Sequence, residues 1–139
     1  MTPGKHGFHI HTESPTEAGC ASTGKHYNPN DKPHGGPNNP ERHVGDLGNI
    51  EADAEGNGKL EMTDKVISLD GDYSIIGRAV VIHAKEDDLG ITDPGDMGNA
   101  GPKVACGGIT QDDHDESGAL ALKFMSIMGA SFALFSVLA

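Results

Sequence analysis

The stretch KHYNPNDKPHGGPNNPERHVGD, residues 25–46, shows neither the alternation of a strand nor the period of a helix. It carries four Pro and three Gly and has too few apolar side chains to form a core, so something else must order it. His26, His34 and His43 recur along it with seven and eight residues between them, and Asp46 follows after two more. Three imidazoles and a carboxylate make a full tetrahedral set for zinc. A bound ion would supply the ordering energy that the composition lacks. Loops of this length without structure of their own are uncommon in compact domains unless functional or disordered. The regular placing of ligand-type residues favours function.

On the N-terminal side, Gly7–His11 reads Gly-Phe-His-Ile-His. On a strand, Phe8 and Ile10 face the core while His9 and His11 project from the other face. Their Cα atoms then lie about 6.6 Å apart by strand rise, close enough for both rings to reach one ion. His-x-His is also the pattern of a solvated strand face. His6 fits neither set and reads as structural. On the C-terminal side, Asp46 to Ala52 reads as a strand, and the turn Glu55-Gly56-Asn57-Gly58 leads to a second one, Lys59 to Thr63, completing a hairpin. Val66 to Leu69 is a short apolar run closed by Asp70-Gly71-Asp72. Arg78 to His83 is a β-branched run typical of a buried strand, with His83 at its end, where a surface imidazole is also ordinary. A polar loop from Lys85 to Pro102 contains Asp87, and Lys103 to Gly107 reads as the last strand.

The chain has 139 residues, about one domain, with a net charge of −11 and only 4% aromatic residues. Such an acidic protein is repelled by nucleic-acid phosphates and anionic membrane surfaces. Twenty Gly and eight Pro favour short strands and turns over long helices; partial disorder is the alternative. Two cysteines, Cys20 and Cys106, make no disulfide framework. They are either free thiols or one long-range bridge, the latter worth about 4–5 kcal/mol by loop entropy. The N-terminus lacks the apolar core of a secretory signal. Residues 112–119 form an acidic spacer, and residues 120–139 hold one charge, Lys123, in an otherwise apolar or small run. That run is long enough for a bilayer span or for an imperfect glycolipid-anchor signal; an amphipathic or disordered tail is the other reading.

Collected together, the ligand-type residues are His9, His11, His26, His34, His43, Asp46 and His83. Four in the loop suit zinc. The three remaining imidazoles suit copper, zinc, iron or nickel, and a loop His sharing both ring nitrogens would complete a four-nitrogen set that favours Cu(II).

The same residues carry a resemblance. Gly-Phe-His-Ile-His at 7–11, Lys-His-Tyr-Asn-Pro at 25–29, His-Gly-Gly-Pro at 34–37, Arg-His-Val-Gly-Asp-Leu-Gly-Asn at 42–49, Ile-Ile-Gly-Arg at 75–78, Val-Ile-His at 81–83, Asp-Asp-Leu-Gly at 87–90 and Gly-Asn-Ala-Gly-Pro-Lys-Val-Ala-Cys-Gly at 98–107 resemble copper/zinc superoxide dismutases. The resemblance implies a mainly β fold, the family's Greek-key barrel or sandwich, over residues 1–111. It implies copper on His9, His11, His26 and His83, and zinc on His26, His34, His43 and Asp46, with His26 as the shared imidazolate. Asp87 matches the carboxylate that ties a copper ligand to a zinc ligand, and Cys20 and Cys106 match the family's disulfide. The implied reaction converts two superoxide anions and two protons into oxygen and hydrogen peroxide, with His26 releasing Cu(I) and taking a proton. Lys103 stands where most of the family has Arg beside the copper. It keeps the charge and loses the planar fork, so activity is expected to persist at a reduced level.

The departures matter too. The family's first three strands have no counterpart before Met1, which leaves five neighbouring strands with an uncovered inner face at Phe8 and Ile10. Two other readings follow: a non-catalytic copper/zinc-binding module, and an incomplete, inactive fragment. Superoxide is the expected substrate and nucleic acid is excluded as a partner. Ile76-Gly77 matches part of the family's dimer surface and admits a homodimer, and the tail admits membrane attachment. An extracellular or membrane-attached location is favoured, with a cytoplasmic one as the alternative.

Overall fold

Alternating or β-branched runs bounded by Gly, Pro and Asp set the strands of this protein. The computed structural model describes residues 1–92, 97–111, 120–122 and 135–138. Strand β1 (Gly4–His11) is followed by a 3₁₀ turn at Cys20–Thr23 and the long connection; then come β2 (Asp46–Ala52), β3 (Gly58–Lys59), β4 (Glu61–Thr63), a second 3₁₀ turn at Gly71–Tyr73, β5 (Ala79–His83) and β6 (Lys103–Gly108). Two further strands, β7 (Leu120–Leu122) and β8 (Phe135–Leu138), belong to the apolar segment. The fold is mainly β, as expected. The principal sheet has the order β3-β2-β1-β5-β6, every pair antiparallel, and a three-stranded sheet has the order β4-β8-β7. The acidic spacer, residues 112–119, and residues 123–134 of the expected apolar tail lie outside the described residues. Among the described residues no helix is long and apolar enough to cross a membrane.

Two expectations need correction. The strand expected over Lys59 to Thr63 is split at Leu60. Gly58–Lys59 closes the hairpin on Glu51 and Ala52, while Glu61–Thr63 turns away to pair in parallel with β8. Leu60 itself packs against the core at the break. Nor is the inner face uncovered: Phe8 is 0% exposed and Ile10 1%. Both sit in one cluster with Ile50, Val80 and Ile82 of the sheet, and with Tyr27, Val44, Ile67, Ile75 and Ile109 from the connecting segments. Among the described residues the loops supply much of the apolar cover, and burial at this scale is the main favourable term in folding.

Two irregularities in the sheet decide which side chains share a face. Between Gly7 and His9 the β1–β2 register slips by one residue, so that Asp46 rather than Leu47 stands opposite His9. The extra residue falls on β2 beside Gly48, whose φ of 85° is open to glycine at little cost. A one-residue slip exchanges faces: Leu47 goes to the core and Asp46 joins the histidines. A second slip, between Ile82 and His83, places Lys103 opposite His83 and leaves Val104 half exposed.

Candidate metal centre

Strand β1 sends Phe8 and Ile10 inward and His9 and His11 outward, and β5 lies antiparallel beside it with His83 at its end. The long connection is fastened to the same face. His26 bridges His11, Tyr27 N–H donates to Ile10 O at 2.8 Å, and Gly45 N–H donates to Tyr27 O at 2.9 Å. A Cβ at residue 45 would come 2.2 Å from Ile10 O, so only glycine lets the chain pass this close to β1.

The result is two groups of donor atoms that share one ring. Ligand atoms of His9, His11, His26 and His83 all lie within 4.8 Å of one another, and those of His26, His34, His43 and Asp46 do the same. Every one of these residues is buried. In the first group, His11 Nδ1 lies 2.9 Å from Gly24 O and His83 Nδ1 lies 2.8 Å from Gly101 O. A carbonyl only accepts, so both Nδ1 atoms carry the hydrogen and, in neutral rings, both Nε2 atoms are bare lone pairs. Those two lone pairs face each other at 3.2 Å. A cation between them relieves the repulsion. His9 Nε2 donates to Asp87 Oδ2 at 2.6 Å, which leaves His9 Nδ1 buried without a hydrogen-bond partner, as is His26 Nε2.

In the second group, Asp46 Oδ1 lies 2.9 Å from His26 Nδ1 and 3.1 Å from His43 Nδ1. Its Oδ2 accepts the backbone N–H of Gly35 and of His43, each at 3.0 Å. His34 donates from Nε2 to Asp87 Oδ1 at 2.8 Å. Its Nδ1 is 3.0 Å from Asp46 Oδ2 but lacks the geometry of a hydrogen bond. Asp87 therefore links one member of each group. These partners fix ring orientation and tautomer, as outer partners of metal ligands do.

The electrostatics divide the two groups. Burial lowers His9 to about 3 against the pull of Asp87, and burial likewise lowers His11, His26 and His83 below the usual imidazole range. Burial also disfavours the charged form of His34, but the carboxylates of Asp46 and Asp87 outweigh it and raise that ring to about 10. Burial would raise Asp46 and Asp87; hydrogen bonds from the surrounding imidazoles hold both below the carboxylate range instead. The first group is a neutral four-nitrogen set, which suits copper. The second offers three imidazoles and an ionised carboxylate, a set that suits tetrahedral zinc once His34 gives up its proton to the ion.

The family description for copper/zinc superoxide dismutase matches residues 1–109. The chain belongs to the copper/zinc superoxide dismutase family. It is 53% identical over 112 residues to an extracellular superoxide dismutase [Cu-Zn] of Caenorhabditis elegans, covering 78% of this chain and 51% of that one. Its identity to the Drosophila melanogaster extracellular enzyme is 54% over 112 residues, covering 78% and 62%. Superoxide dismutase [Cu-Zn] 2 of Mesembryanthemum crystallinum is 53% identical over 110 residues, covering 77% and 70%. Among solved structures, the crystal structure of the clock protein EA4 superposes with a TM-score of 0.68 at 48% identity, covering 77% of this chain and 70% of that chain. The chain spans about half to three-fifths of the length of the first two relatives.

The structure brings together the seven ligand-type residues singled out in the sequence, with Asp87 between the two groups. Lys103 lies across from His83, with Nζ donating to Thr23 Oγ1 at 3.0 Å and to Gly24 O at 2.6 Å. Gly24 O thus serves both Lys103 and His11. A Cys20–Cys106 disulfide, with Cα atoms 5.5 Å apart, ties the 3₁₀ turn carrying Thr23 to β6. His6 is structural, as read: Nδ1 approaches His83 O at 2.9 Å and Nε2 approaches Thr2 O at 2.7 Å. Sequence reasoning missed Arg42. It is buried, donates to Asp46 O at 2.6 Å, and pairs with buried Asp64 at 2.6 Å. A charged residue inside a loop motif gives no sign in sequence of whether it points inward. Asn49, on β2, was missed because its amide acts on the backbone of Asp87, far away in sequence.

Proposed function

We propose that the chain is a superoxide dismutase of residues 1–111. His9, His11, His26 and His83 would hold copper, and His26, His34, His43 and Asp46 would hold zinc. The observation that carries this reading is the opposed pair of Nε2 lone pairs on His11 and His83, 3.2 Å apart in a buried set that His26 shares with the second group. Copper held there would supply one-electron exchange between Cu(II) and Cu(I), and zinc would supply a fixed positive charge beside His26.

The residues divide the remaining work. His26 holds or gives up a proton at Nε2, the nitrogen left without a hydrogen-bond partner, while Nδ1 stays beside Asp46. Asp46 keeps its negative charge, because three imidazoles stabilise it. Gly24 O and Gly101 O hold His11 and His83 in one tautomer. Lys103 uses two of its N–H donors on Thr23 and Gly24, and the third is free to dock an anion. On a chain of net charge −11, such a local cation matters to an anionic substrate, and superoxide dismutases are a standard example of electrostatic steering. Across one cycle two superoxide anions and two protons give oxygen and hydrogen peroxide.

The same reading places the chain outside the cell, in keeping with relatives named extracellular. It also pairs two copies through the surface at Ile76 and Gly77 and attaches the chain to a membrane through residues 120–139. Sedimentation and liposome flotation of the full chain test those two parts. The activity is tested by loading the chain with copper and zinc and measuring superoxide decay. Turnover that needs copper is the expected result. Full loading of both metals without turnover would support the non-catalytic alternative.

A further inference from the structure

Asp87 must aim one carboxylate at two rings, yet it lies in an irregular stretch where no strand ladder pairs its peptide. Its Oδ2 accepts from His9 Nε2, and its Oδ1 accepts from His34 Nε2 and from Leu89 N–H. A carboxylate with that many directed partners tolerates little movement of the peptide that carries it. The side chain of Asn49 holds that peptide from both ends. Asn49 Nδ2 donates to Asp87 O at 3.0 Å, and Asp87 N–H donates to Asn49 Oδ1 at 2.7 Å. The amide thereby takes the place of the missing ladder partner.

Local structure explains why the clasp forms here. Asn49 stands on β2 just past the bulge that turns Asp46 toward the histidines, and it is paired with Gly7 of β1. A Cβ at Gly7 would come 2.7 Å from Ala100 Cβ and 3.5 Å from Asp87 Cβ. Glycine there leaves room for Ala100, whose carbonyl accepts the N–H of Lys85 two residues before Asp87, so the segment bearing Asp87 lies on the strand pair within reach of Asn49. One strand thus carries a member of the second donor group, Asp46, and the residue that fixes the carboxylate linking the two groups.

We propose that Asn49 is a positioning residue for zinc: it acts by locking the backbone of Asp87, so that His34 is held with Nδ1 turned to the ion. The proposal rests on the reading that His26, His34, His43 and Asp46 take zinc. It is tested on the full chain by the affinity for the first equivalent of zinc, measured by competition with a chromogenic chelator. The proteins compared are the wild type, Asn49→Ala, Asp87→Ala and the double variant. Asn49→Ala is expected to weaken zinc about tenfold, the low end for loss of an outer partner, and to add nothing once Asp87 is alanine. Asn49→Asp keeps the acceptor toward Asp87 N–H and loses the donor toward Asp87 O. It is expected to fall between wild type and Asn49→Ala, and it carries the test if the alanine variant does not fold. An equal loss from Asn49→Ala in both backgrounds, or wild-type affinity in Asn49→Asp, would overturn the proposal alone. A wild-type chain that takes up no zinc would overturn the reading of the site and the proposal with it.

Discussion

Lys103 stands opposite His83, at the edge of the first donor group. Its ammonium has one donor left after Thr23 and Gly24, whereas a guanidinium in its place could keep those contacts and present two N–H groups in a planar fork. One further hydrogen bond to a charged partner is worth about 1.5 kcal/mol, roughly tenfold. Lys103→Arg is therefore expected to raise kcat/KM for superoxide by up to that factor. Stopped-flow measurements over a range of ionic strength check it, and equal rates for the two proteins throughout would contradict the role given to Lys103. At this scale the ligands were legible because His and Asp recur at loop and strand positions where no core needs them. Arg42 and Asn49 were not, because each works through a backbone carbonyl or peptide whose location only the fold decides.

Among the elements, the strands were legible from alternation and from Gly, Pro and Asp punctuation, but the two register slips were not. Plain alternation along Asp46-Leu47-Gly48-Asn49 cannot say where an extra residue is taken up, and Gly48 is one glycine among many. The apolar cover of Phe8 and Ile10 was missed for a related reason: Tyr27, Val44, Ile75 and Ile109 come from connections without a period. What holds those connections is open to test. Arg42 and Asp64 form a buried pair that fastens the long loop to the turn before Ile67, where Asp64 Oδ1 also accepts the N–H groups of Val66 and Ile67. Removing one member leaves the other charge buried, so Asp64→Ala is expected to cost about 3–5 kcal/mol in denaturant unfolding of the metal-free chain; a loss below 1 kcal/mol would show that the pair is solvated. Reduction of Cys20–Cys106 is expected to cost about 4–5 kcal/mol on the loop-entropy account, read from the same unfolding curves with and without reductant.

For the molecule as a whole, the donor groups give the metal-free chain a lopsided pH profile. His9, His11, His26 and His83 have folded pKa values pushed below the ordinary 6.5, His9 to about 3. Between those values the unfolded chain binds more protons, so stability is fully present above pH 6.5 and is lost as pH falls toward 3. His34 runs the other way: raised to about 10, it contributes stability that is present below pH 6.5 and lost as the pH rises through 10. Four rings against one make the acid side the steeper, and urea midpoints of the metal-free chain from pH 4 to pH 10 check it; a flat profile below pH 6.5 would refute the buried, neutral state of the first group. All of this depends on one ring standing in both groups. The direct test is a crystal of the chain loaded with Cu(II) and zinc, with anomalous maps at each metal edge. The account predicts His26 Nε2 and Nδ1 each at about 2.0–2.1 Å from a different ion; His26 beyond bonding distance of either ion would contradict it.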